Sequence, residues 1–228
     1  AVLVLAAAPA LAQGVNLPQT GQTTRDATAG AVDMRSLTKA SAQESRDTSD
    51  ALLQFSSKGH ILGFKEDRMY MVGMGYALIE EFVGANHVKP VSVGKALPAD
   101  SSRHTGAPAL QQVEYHHLWD SITVRYVAKP DGLAESTYLL GPHAEAGRIR
   151  IKYNTEAGLQ KDGSLRFTHP TEKGYFSMTA PVAWQEIEGK RRPVEVAFAD
   201  YGDNTIGFRL GAYNGQYPVV IDPTYEWH

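Results

Sequence analysis

Beyond residue 52, apolar and polar side chains exchange places at every second position, the spacing of strands buried on one face. Val194, Val196 and Phe198 share a face while Glu195 takes the other, and Ile206, Phe208 and Leu210 oppose Arg209. In the middle of the chain Ile149, Ile151 and Tyr153 point inward against Arg148, Arg150 and Lys152, and Ile122, Val124 and Tyr126 form another apolar stripe. Turn residues punctuate these runs about every 8–12 positions, as in sandwiches and barrels. Asp200, Gly202, Asp203 and Asn204 form one set, Asn214-Gly215 ahead of Pro218-Val219-Val220-Ile221 another, and Asp162-Gly163 between Leu159 and Leu165 a third. All three read as hairpin connections.

The pattern is antiparallel in character. Strands of a parallel sheet, covered on both faces, would be nearly continuous apolar runs joined by amphipathic helices, and no helical segment of convincing length separates these strands. The expected fold is all-β, an antiparallel β-sandwich, with a partly open antiparallel barrel as the alternative.

The ends read differently. Residues 1–12 are apolar and close on Ala10-Leu11-Ala12, the small-x-small pattern a signal peptidase accepts, with Gln13 as the first mature residue. With neither an initiating Met nor a basic segment ahead of it, this stretch reads as the remnant of an export signal. It is too short to span a bilayer, which takes about 20 apolar residues. Residues 13–51 are rich in Thr, Ser, Ala, Gln, Asp and Arg and read as a linker, because so few large apolar side chains cannot offset the entropy of ordering. The ordered domain is expected over 52–223, and 224–228 as the start of a further linker.

Charge and composition narrow the function classes. The formal net charge of −3, from 22 basic and 25 acidic residues without a long like-charge block, gives no footprint for nucleic acid or an anionic membrane. The densest basic cluster, Lys190-Arg191-Arg192 after Glu188-Gly189, reads as a solvated hairpin tip. The chain contains no cysteine, so disulfides, thiolate metal sites and a cysteine nucleophile are excluded.

Candidate chemistry is sparse. Glu114, His116, His117 and Asp120 could supply metal ligands, but adjacent histidines on a strand point to opposite faces, so solvated strand-end histidines are the ordinary reading. Gly73-Met74-Gly75 lacks the third glycine and the helix that phosphate binding requires, and no nucleophile elbow or P-loop occurs. Glu135 with Glu186 or Asp200 could form a glycosidase-like pair only if the fold held them across a cleft. Asp131-Gly132, Asp162-Gly163 and Asp203-Asn204 fit turns better than calcium loops. Part of the set Tyr115, Trp119, Tyr126, Tyr138, Trp184, Tyr201, Tyr213 and Tyr217 could form a flat aromatic platform, but Tyr126 and Trp184 alternate with polar residues on strands and are expected in the core. Trp119, Tyr201, Tyr213 and Tyr217 fall near turns, where a surface platform for sugar rings or a protein would sit. No catalytic, cofactor-binding or metal residue is assigned.

Several segments together resemble the β-rich N-terminal domain of unknown function that precedes seven-bladed β-propeller (SBBP-type) repeats in bacterial secreted or cell-surface proteins. They are Gly59–Phe64, Glu81–Asn86, Ala180–Ile187, Gly189–Val194, Gly207–Tyr213 and Val220–Pro223. Between Gly94 and Leu110 the sequence departs from the aromatic and asparagine-rich segment of that family, and Asp120-Ser121 stands where Pro-Gly would be favoured. The resemblance implies a non-enzymatic, exported structural or interaction module. Its partner would be a downstream repeat domain that it caps or displays, with a surface glycan or protein as a further partner in adhesion. A carbohydrate-binding module and an extracellular hydrolase are the rival expectations.

Overall fold

The computed structural model describes residues 53–73, 75–93, 112–129, 132–168 and 174–228. The first strands are β1 (Leu53–Ser57), β2 (His60–Phe64), β3 (Arg68–Gly73), β4 (Tyr76–Phe82), β5 (Val91–Ser92) and β6 (Gln112–Trp119). Next come β7 (Ile122–Ala128), β8 (Ala134–Leu140), β9 (Ile151–Tyr153), β10 (Ala157–Leu159), β11 (Leu165–Phe167) and β12 (Phe176–Met178). The last are β13 (Val182–Ile187), β14 (Lys190–Val194), β15 (Val196–Asp200), β16 (Thr205–Leu210), β17 (Val219–Asp222) and β18 (Thr224–Trp227). The expected signal remnant and linker and the Gly94–Leu110 departure lie outside the described residues.

The fold is an all-β antiparallel sandwich. One sheet runs β1-β2-β3-β4-β9-β16-β15, and the second runs β10-β11-β12-β18-β8-β17-β13-β14 with β7, β6 and β5 added beyond β8. Neither closes into a barrel. Leu62, Met69, Met71 and Leu78 of the first sheet and Val113, Ile122, Val124 and Ile221 of the second fill the space between them. Burying side chains of this size stabilises by about 1.5–3 kcal/mol each.

The second sheet is simpler than its strand count suggests. β17 and β18 pair with β8 in a single register, Val219↔Leu140 through Tyr225↔Ala134, and are divided only at Pro223, which has no N–H to donate. Its carbonyl still accepts from the Ser136 N–H at 3.1 Å, so the ladder continues across the break. Residues 224–228, expected as the start of a linker, therefore carry a core strand with Tyr225 fully buried. The expected boundary at Pro223 coincides with the last segment of the family resemblance, Val220–Pro223.

Two other boundaries differ from expectation. Val194, Val196 and Phe198 do share an inward orientation, but Val194 ends β14 in the second sheet while Val196 begins β15 in the first. Alternation is preserved when a chain steps from one sheet to the other over the same core, so period alone did not reveal the crossing. Asn214-Gly215 lies on another such crossover, from β16 to β17, and is not a hairpin turn. Asp162-Gly163, by contrast, closes the β10-β11 hairpin at the pair Leu159↔Leu165, with Gly163 at φ 84°. Glu188-Gly189 turns β13 into β14 with both residues at positive φ. Asp120-Ser121 joins β6 to β7 across Trp119↔Ile122, with Ser121 at φ 60°.

Candidate functional site

β15 is an edge strand of the first sheet, and beside it the sandwich opens in a groove of about 610 Å³. Its floor includes Phe198, Phe208 and Leu210, and its rim Leu159, Asp200, Tyr201, Arg209 and Tyr213. Leu159, Tyr201 and Tyr213 are 55%, 43% and 37% exposed, an unusual grouping of large apolar surface.

Each tyrosine on the rim is held by identifiable neighbours. Tyr201 sits in the turn after β15, where the Asp200 carboxylate accepts the Gly202 N–H at 2.8 Å, and the Arg150 guanidinium lies 3.3 Å from its ring centroid. Gly207 leaves the room this arrangement needs: a Cβ there would lie 2.2 Å from the Ile149 carbonyl oxygen and 3.0 Å from the Tyr201 ring. Tyr213 rides on the crossover after β16, which buried Gln185 clamps from β13. The Gln185 amide donates to the carbonyls of Asn214 (2.8 Å) and Tyr217 (2.9 Å) and accepts the Asn214 N–H (3.0 Å).

Of the four aromatics expected near the surface, Tyr201 and Tyr213 share this groove and Tyr217 is half-buried. Trp119 corrects the expectation. It is 2% exposed and its indole N–H donates to the Val83 carbonyl at 3.2 Å. It keeps the inward parity of Val113 and Tyr115 opposite buried Ile122, and the irregular register of β6 between Tyr115 and Trp119 instead turns His117 out and Leu118 in. Trp184 corrects it in the other sense. Ala183 and Gln185 take the inward positions of β13, leaving Trp184 half-exposed outside with Arg191 4.5 Å from its ring centroid. Tyr115, Tyr126 and Tyr138 are fully buried.

The ionisable constellations disperse. Glu114 accepts from Arg125 Nε at 2.6 Å and Gln112 at 2.9 Å, with His116 Nε2 at 3.4 Å, whereas Asp120 pairs with Arg148 at 3.1 Å. His117 is exposed in the β6 irregularity at φ 54°. No group of three or more metal-ligating side chains gathers among the described residues. Glu135 is held by Lys129 at 2.6 Å, and Asp200 lines a groove that neither Glu135 nor Glu186 reaches. The Asp162 carboxylate is occupied within its turn by the Ser164 N–H and hydroxyl, and Asp203 pairs with Lys152. Asp131 lies outside the described residues.

Two polar features escaped the sequence reading. Glu80 is 0% exposed between the sheets, its carboxylate accepting from Tyr126 OH at 2.6 Å and Tyr153 OH at 3.2 Å, with Tyr225 OH 3.1 Å from Tyr153 OH. Burial pushes its carboxyl up to about 7 against the two hydroxyl bonds, and burial followed by the nearby Glu80 charge pushes the Tyr126 and Tyr153 phenols well above their usual range. The signal was present: Tyr76, Leu78 and Phe82 fix the inward parity of β4, and Glu80 falls on it.

The other is a cleft of about 400 Å³ on the outer face of β11, β12 and β18, where Ser177 Oγ lies 2.8 Å from His228 Nε2. Glu226 approaches the same nitrogen at 3.6 Å, and His228 stacks on Tyr175 at 4.7 Å. A serine nucleophile needs its acid on the far ring nitrogen, so this arrangement ties strand ends together and does not form a relay.

The chain matches a protein family over residues 31–224, described as Domain of unknown function (DUF7948). It belongs to that family. No curated protein and no solved structure matches it. The DUF7948 match ends at residue 224, just short of the Tyr225 that packs in the core. Among the described residues no helix is long and apolar enough to cross a membrane.

Proposed function

We propose that this domain is a non-enzymatic structural and interaction module of an exported bacterial protein, set ahead of propeller-type repeats that it caps or displays, with a role in adhesion. The groove beside β15 carries the reading. It offers apolar and aromatic surface at an open sheet edge, which suits contact with another polypeptide or ligand, whereas the carboxylates of Glu114, Glu135 and Asp162 outside it are engaged in ion pairs and a turn. Repeat arrays leave an unpaired terminal surface, and an all-β neighbour is suited to cover it. Removing residues 53–228 from the full-length protein should lower the melting temperature of the repeats. Unchanged melting would remove the capping role.

A second reading is carbohydrate binding. It is favoured by Tyr201 and Tyr213 lining one groove together with Asp200 and Arg209 as hydrogen-bonding groups. Glycan-array signal that disappears in Tyr201→Ala and Tyr213→Ala would support it, and an array without signal would discard it.

A further inference from the structure

We propose that the edge of β15, unpaired among the described residues, is a docking site for an extended peptide, which adds to the first sheet as one more strand. The inference rests on the interaction-module reading and names its partner class.

The free hydrogen-bonding groups can be assigned. The Glu195 carbonyl accepts from Gly211 N–H at 2.8 Å and Tyr201 N–H donates to the Thr205 carbonyl at 2.9 Å. Residues 195, 197, 199 and 201 thus point their backbone groups at β16, and alternation aims those of Val196, Phe198 and Asp200 at the open side.

Sheet edges are usually blunted by shortness, charge or proline. β14 carries Lys190, Arg191, Arg192 and Pro193, while β5 and β10 have two and three residues. β15 has none of these protections from Val196 to Ala199. β1 is also long and uncharged, but the exposed Leu159, Tyr201 and Tyr213 lie at the β15 groove. An unpaired ladder beside an apolar groove is what strand addition uses: main-chain bonds supply affinity, and alternate side chains enter the groove.

Charge selects the partner's sequence. Glu195 precedes β15, Asp200 ends it, and Arg209 lies opposite Ala197, whose small side chain leaves that arginine open to an added strand. None of the three forms an ion pair among the described residues. An antiparallel partner is therefore matched by a basic residue opposite Asp200, an apolar one opposite Phe198, an acidic one beside Arg209 and a basic one opposite Glu195. The peptide Lys-Thr-Val-Glu-Val-Lys has this pattern.

The test titrates this peptide into the whole chain by calorimetry, with amide exchange followed by NMR. Saturable binding should slow exchange at Val196 and Phe198. N-methylation of both valines, which face the β15 ladder, should weaken binding about tenfold or more, while N-methylation of the threonine and glutamate should change it little. Arg209→Glu should weaken the peptide about threefold, and a peptide with lysine replacing its glutamate should recover that loss. Equal binding of the two N-methylated peptides, or no saturation up to about 1 mM, overturns the proposal. So does β15 protection that grows with protein concentration alone, which would assign the edge to a second copy. Glycan binding lost in Tyr201→Ala without β15 protection also overturns it. Loss of the peptide result with the repeats still stabilised would remove this proposal and leave the interaction module standing.

Discussion

The carboxyl of Glu80 and the groove beside β15 are both misplaced by ordinary rules, one polar inside the core and the other apolar outside it. The difference lies in how each is accommodated. Glu80 is surrounded by hydroxyl donors from both sheets, Tyr153 from the first and Tyr126 from the second, so the domain itself meets the need its burial creates. Leu159, Tyr201 and Tyr213 receive no such cover from the other described residues. A buried polar group that is fully partnered explains itself through stability. Exposed apolar surface at an unpaired edge has no such account within the described residues and is what the proposed strand addition would cover.

The strongest way to break this contrast is to delete the carboxyl. Glu80→Ala leaves the Tyr126 and Tyr153 hydroxyls without their acceptor and opens a cavity, and should cost about 3–5 kcal/mol of unfolding free energy in urea titration at pH 5. A loss below about 1 kcal/mol would mean that the tyrosines find other partners and that the network is not what joins the sheets.

The next effect is read through pH. Because folding raises the Glu80 carboxyl from 4.5 to about 7, its contribution is fully present below 4.5 and is lost as pH rises to about 7, a change of about 3 kcal/mol. Asp222, pushed up to about 6 chiefly by burial, acts in the same sense but is partly exposed and contributes less. His60, whose imidazole is lowered by burial, acts in the opposite sense as pH falls below 6.5. The informative quantity is accordingly the difference between the native chain and Glu80→Gln: the variant should gain on the native chain from pH 5 to about pH 7 and level off by pH 8. Parallel pH profiles would show that Glu80 is ionised throughout that range.

On the groove side, Gln185→Ala should cost about 2–3 kcal/mol, since it frees the three main-chain bonds that hold the crossover carrying Tyr213. Amide exchange at Asn214 should quicken in the variant. Unchanged protection there would show that the loop is held by its own packing.

How much of this was legible follows from what alternation can encode. Period 2 gives the face of every residue, so it carried the antiparallel sandwich, the inward Ile149, Ile151 and Tyr153 and the hairpin at Asp162-Gly163. It is blind to which sheet a strand joins, and therefore missed the step between Val194 and Val196 and the crossover at Asn214-Gly215. The boundary expected at Pro223 fell short, because the Pro223 carbonyl accepts from Ser136 N–H and keeps the register running into β18. Trp119 shares the parity of Val113 and Tyr115, but its nearness to the turn pointed to the surface; the irregularity in β6 put His117 outside and Leu118 inside, a local change no period reports. Glu80 was within reach, since its parity matches Leu78 and Phe82, but a charged residue among apolar ones reads as surface unless hydroxyl partners from distant strands are known. The groove was half legible: Tyr201 and Tyr213 fall beside turns, yet their meeting depends on Arg150 and Gln185, remote in sequence.

The smallest expected effect is the one that keeps the two regions apart. Tyr201→Ala removes a half-exposed ring and its contact with half-buried Arg150, less covered surface than a core side chain, so stability should change by about 1 kcal/mol or less. Tyr213→Ala, whose hydroxyl makes one long 3.4 Å bond to the Ala144 carbonyl, should behave alike. Urea midpoints measured beside those of Glu80→Ala provide the check. If either tyrosine cost as much as the carboxyl, the groove would be an extension of the core, and its exposed surface would no longer call for an outside partner. If both are nearly silent, selection for two exposed rings at a bare strand edge has to be sought in binding.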